Sequence, residues 1–158
     1  MRTSIKSIRQ NQRHGTFGRG HLAGLIAADS TYLNRVGLTP AALNSIVVLD
    51  GPLDMKRFIE AIPSYKEVFG TDERCGQSIA ALIHKQLKLP PAYLVTRWED
   101  PAVYKFAETA NKAKATEFVY QVNSLSHSDL NKMFGSPDAP AEAQNLTKRL
   151  WRFREGNK

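Results

Sequence analysis

The chain has 158 residues and an apolar fraction of 42%, the size and composition of one globular domain. No apolar run approaches the roughly 18 residues of a membrane span, and the lone cysteine, Cys75, excludes an intrachain disulfide, so a soluble, cytoplasmic protein is expected. The net charge of +7 sits at the two ends: residues 1–21 hold Arg2, Lys6, Arg9, Arg13 and Arg19 with no acid, and residues 141–158 hold Lys148, Arg149, Arg152, Arg154 and Lys158 against Glu142 and Glu155.

The first 20 residues contain no apolar core of secretory type, so they do not read as a signal peptide. Residues 1–19 form a basic segment to which no structure is assigned. Residues 21–33, HLAGLIAADSTYL, combine strong helix formers with apolar residues on most faces, which predicts a largely buried helix. SIVVLD, 45–50, is a continuous β-branched run of the kind found in strands covered on both faces. Residues 53–62 read as a helix stopped by Pro63, and 64–76 as a loop. A helix opens at Ser78. AYLVT, 92–96, is a second buried strand, 101–114 a helix with Pro101 in its first turn, and EFVYQV, 117–122, a third strand. A loop over 123–139 leads to a last amphipathic helix, 140–154, with Leu146, Leu150 and Phe153 on one stripe. Alternating strands and helices predict an α/β layer with a small, mainly parallel sheet of about three strands flanked by helices.

In open α/β sheets functional groups gather beyond the carboxyl ends of the strands. SIVVLD is followed by GPLDM, which places Asp50 and Asp54 there. AYLVT is followed by RWEDPAV, with Glu99 and Asp100, and EFVYQV by NSLSHSDL, with His127 and Asp129. An acid beyond one strand and a histidine beyond the next is the acid–base half of a hydrolytic triad: the histidine takes a proton from a nucleophile, and the acid fixes its tautomer. Asp100 also suits the N-cap of the helix opening at Pro101. His21 and His84 read as packing or capping residues and His14 as solvated. Four histidines without i, i+4 pairing carry no metal signature, and G-x-x-G-x-G at Gly15, Gly18 and Gly20 is not the dinucleotide fingerprint, so neither metal nor cofactor is expected.

Four motifs, in order, bear a family resemblance. GHLAGLIAAD (20–29) is similar to the helix after a nucleophile elbow. VVLDGPLDM (47–55) is similar to the strand and turn that follow it. LVTRWEDPAV (94–103) is similar to the turn bearing the acid, and SLSHSDL (124–130) to the turn bearing the base. Residues 20 to 154 thus resemble the C-terminal half of an esterase/lipase-type α/β-hydrolase, of the small carboxylesterase or arylformamidase-like kind. The resemblance implies a partial, truncated α/β-hydrolase domain over 20–158, Asp100 and His127 as triad remnants, and an ancestral small ester or amide substrate. It aligns Phe17 with the nucleophile serine and Arg19 with the elbow's second glycine. The polar stretch 4–13 makes a poor strand to lead into an elbow, and the family's oxyanion loop has no counterpart, so little or no esterase activity is expected. Two alternatives stand beside this one. One is an assembly module, pairing with another copy or a complementing chain through the open sheet edge at SIVVLD. The other, ranked lower, is a basic nucleic-acid binder acting through the head and the last helix.

Overall fold

A computed structural model describes residues 16–70, 78–83, 89–112 and 117–156. The stretch 4–13, His14, Cys75 and His84 lie outside the described residues. Three strands form one parallel sheet: β1 (Ile46–Leu49), β2 (Ala92–Thr96) and β3 (Glu117–Gln121), in the spatial order β1-β2-β3. The register sets Ile46 beside Ala92 and Ala92 beside Glu117, so the three strands end together. Around them lie α1 (Thr16–Ala28), α2 (Ser30–Asn34), α3 (Met55–Ala61), α4 (Lys66–Phe69), α5 (Ile79–Ile83), α6 (Pro101–Lys112), α7 (His127–Met133) and α8 (Ala141–Gly156). The predicted small parallel sheet flanked by helices is the architecture found.

The sheet separates two apolar layers, as the period of two along a strand requires. Ile46, Val48, Ala92 and Leu94 face one layer, with Ala27 and Ala28 of α1, Ile79 and Ile83 of α5, and Val103 and Phe106 of α6. Tyr93 and Val95 face the other, with Leu130 of α7 and Leu146 and Leu150 of α8. All five residues of β2 are buried, whereas Val47 and Leu49 of β1 are only partly covered. Among the described residues no buried side-chain polar atom lacks a partner. No helix among them is long and apolar enough to cross a membrane.

The element bounds differ from the predicted ones where a polar side chain intervenes. The helix expected over 21–33 begins at Thr16, inside the segment 1–19, and is broken at Asp29. Asp29 is extended (φ −121°, ψ 102°), and its carboxylate accepts from the Thr31 N–H at 2.9 Å, capping α2. Asp54 caps α3 in the same way through the Arg57 N–H. The loop expected over 123–139 contains α7. Ser126 and Asp129 form a reciprocal capping box at its start, a signal present in the sequence as S-x-x-D.

One contact fixes how α1 crosses the sheet. A methyl group on Gly20 would stand 2.8 Å from the Gly51 Cα, and one on Gly51 would stand 2.7 Å from the Gly20 Cα. Backbone meets backbone there, and only a pair of glycines permits it. Next to it, the His21 Nδ1–H donates to the Pro52 carbonyl at 3.0 Å. His21, read from the sequence as a packing or capping residue, thus ties α1 to the turn after β1.

Candidate functional site

The parallel strands deliver three loops to one end of the sheet, and the site is built from the first residues of two of them and from the first residue of the helix that follows the third. Asp50 follows β1 directly. Its backbone N–H is still in the ladder, donating to the Val95 carbonyl at 2.8 Å, but its φ is +48°. Aspartate is among the few non-glycine residues that tolerate the left-handed region. The turn leaves its carboxylate buried, with the side chain 4% exposed. A carboxylate so buried needs partners to offset lost hydration, and two cationic or protic groups supply them. Arg97, the first residue after β2, donates Nε–H to Asp50 Oδ2 at 2.5 Å. His127, the first residue of α7, places Nδ1 at 2.6 Å from the same oxygen.

These contacts fix the histidine's tautomer by elimination. Asp50 Oδ2 accepts, so Nδ1 carries the proton. On the other side, the Asn131 amide nitrogen lies 3.1 Å from His127 Nε2 and 2.8 Å from the His127 backbone carbonyl. The carbonyl can only accept, so this amide atom is the NH2 group, and Nε2 receives a hydrogen bond from it. Asn131 stands one helical turn after His127, on the same face of α7. The imidazole is thus gripped by Asp50 on Nδ1 and by Asn131 on Nε2.

Arg97 is oriented in turn. Its guanidinium lies 4.3 Å from the centre of the Trp98 ring. The turn carrying both residues is closed by the buried Thr96 hydroxyl, which donates to the Trp98 carbonyl at 2.7 Å. The segment leading into α7 is held from the last helix. Glu142 accepts from the N–H groups of Asn123 and Ser124, each at 2.9 Å, and from the Ser124 hydroxyl at 2.5 Å. Partial burial works to raise the Glu142 pKa, but these hydrogen bonds outweigh it and leave the pKa below the usual glutamate value.

Asp100, aligned by resemblance with the triad acid, serves elsewhere. Its Oδ1 accepts from the Ala102 N–H at 2.9 Å, and its carbonyl accepts from the Tyr104 N–H at 3.2 Å, so it is the N-cap of α6. The carboxylate in contact with His127 is that of Asp50. Phe17, aligned with the serine, lies in the first turn of α1. An elbow nucleophile sits at a strand-to-helix junction, and here position 17 is already helical.

Asp50 and Arg97 line a cavity of about 410 Å³, with Arg57, Phe58, Trp98 and Asp100 among its other walls. His127 is not one of its lining residues. A molecule in the cavity therefore meets Asp50 and Arg97 but not the imidazole. Among the described residues no three histidine, cysteine or acidic side chains cluster as a metal site would require.

The two residues that sequence reasoning passed over as partners carry visible signals. Arg97 directly follows a buried strand, and Asn131 is four residues from the candidate histidine. Comparison with protein-family models, with curated proteins and with solved structures finds no match to this chain.

Proposed function

We propose that this chain is a relative of the esterase/lipase-type α/β-hydrolases that keeps an acid–histidine pair without a nucleophile, and that it turns over small esters or amides little or not at all. The observation that supports the family reading is the Asp50–His127 contact of 2.6 Å, made between loops at the carboxyl ends of parallel strands. That geometry gives the imidazole the Nδ1–H tautomer a general base requires. Two observations support the loss of turnover. Phenylalanine stands at position 17 inside a helix, and Nε2, the nitrogen that would take the nucleophile's proton, already receives the Asn131 amide.

The test is hydrolysis of p-nitrophenyl acetate by the purified chain. The rate is expected to match that of free imidazole at equal concentration, and His127→Ala is expected to leave it unchanged. Saturable turnover that is lost in His127→Ala would sink the proposal of a silent site.

One observation favours a second reading, as an assembly module. β1 pairs with β2 on one side, and its other edge pairs with no described strand. An open edge is a template for another chain. Light scattering over a concentration series distinguishes the two: a dimer or complemented assembly is expected on this reading, and a monomer at all concentrations rejects it.

A further inference from the structure

A second concentration of charge shares no residue with the site at Asp50. On α8, Asn145, Lys148, Arg149 and Arg152 recur at three- and four-residue spacing and so fall on one face. Together with Tyr120 of β3 they line a cleft of about 280 Å³. Among the described residues no carboxylate lines this cleft, and none of its three cations is in an ion pair. Arg149 is held in place from below. Its guanidinium lies 5.1 Å from the centre of the Tyr120 ring and 6.0 Å from that of Phe118. Lys148 and Arg152, four residues apart, repel each other along the helix. The arrangement thus concentrates three positive charges against their mutual repulsion, and a bound anion offsets that repulsion.

We propose that this cleft binds a small phosphate monoester. A phosphate dianion presents several strong acceptor oxygens. Two guanidiniums offer planar forks for them, Lys148 a point charge, and the Asn145 amide and Tyr120 hydroxyl neutral donors. Five residues from one helix face and one strand enclose a single phosphate with a small organic body. A nucleic-acid strand instead needs a groove running past several nucleotides.

The test is calorimetric titration of the full chain with inorganic phosphate and with glycerol 3-phosphate, at constant ionic strength set with chloride. Both probes are expected to bind saturably, the monoester the more tightly. Lys148→Gln/Arg152→Gln removes two exposed charges without touching the core, and it is expected to weaken both by about tenfold or more. Arg35→Gln, an exposed cation at the end of α2, is the control and is expected to leave both affinities unchanged. Circular dichroism checks that each variant folds. Absence of saturable binding by the parent chain, or equal binding by the double variant, overturns the proposal. So does a uridine 20-mer that binds with steep salt dependence where phosphate does not, which would assign the face to nucleic acid.

Discussion

At the scale of single residues, two aspartates that look alike in the sequence do different work. Asp50 and Asp100 each stand close after a buried strand. They differ in place and in backbone: Asp50 directly follows β1 with φ +48°, and its carboxylate meets Arg97 and His127. Asp100 precedes a proline that opens a helix, and its carboxylate turns to the Ala102 N–H. The sequence shows which residue types stand beyond the strands. The backbone angle that aims one of them belongs to the turn that ends in the tight Gly20–Gly51 contact, and no local pattern announces it. The expected consequences separate cleanly. Asp50→Asn leaves Arg97 and His127 facing a neutral amide in a largely buried place. A loss of about 3 kcal/mol is expected, at the low end for a broken buried pair because the Arg97 side chain is 23% exposed. Asp100→Asn substitutes one good N-cap for another and is expected to change stability by only a few tenths of a kcal/mol. Urea denaturation of both variants checks this, and equal losses would contradict the assignment of Asp50 as the histidine's partner.

At the scale of elements, β2 is legible because burial on both faces leaves a continuous apolar run, and β1 and β3 because β-branched and aromatic residues gather in them. AYLVT is β2 residue for residue, and SIVVLD and EFVYQV lose only end residues. The longer helices are legible as apolar periodicity but not in their ends, which Asp29 and Asp54 set by taking backbone N–H groups, while the short α4 and α7 lie in stretches that read as loops. The motif places Gly20 at the start of the helix that follows an elbow, and Gly20 is helical; its missing side chain lets α1 touch the turn after β1. Gly20→Ala and Gly51→Ala are therefore expected to cost about 2–3 kcal/mol each, because the added methyl meets backbone that no rotamer change can move. The double variant should cost less than the sum, since both changes open the same gap. Gly24→Ala is the control. Its methyl would stand 3.0 Å from the Leu53 Cδ2 and 3.1 Å from the Ile79 Cδ1, the far ends of flexible side chains, so a smaller loss is expected. Thermal denaturation of the three single variants ranks them, and a Gly24→Ala loss equal to the others would refute the backbone-contact account.

At the scale of the whole molecule, the Gly20–Gly51 crossing and the His21–Pro52 bond beside it join α1, and the apolar layer it covers, to the loop that carries Asp50. That junction makes global stability depend on pH. Burial is the main force lowering the His21 pKa below 6.5, and the bond to the Pro52 carbonyl pulls partly the other way. The folded chain thus holds His21 neutral at pH values where the unfolded chain has already bound a proton. The sign follows: with more protons on the unfolded state, stability falls as pH falls. The His21 contribution is complete above about pH 6.5 and declines below it, towards the lower value of the folded state. The carboxylates with lowered values, Glu142, Glu108 and Asp129, act in a separate window, because their ordinary values are 4.5 or below. Urea midpoints measured from pH 7.5 to 5 should therefore fall in the parent chain. They should fall less steeply in His21→Gln, whose amide still donates to Pro52 but binds no proton. Once pH is below the folded value of His21 the two curves should run parallel, both descending as the carboxylates protonate. Identical slopes between pH 6.5 and 5 would show that His21 does not set the acid limit of the fold, and that the junction is held by the glycine contact alone.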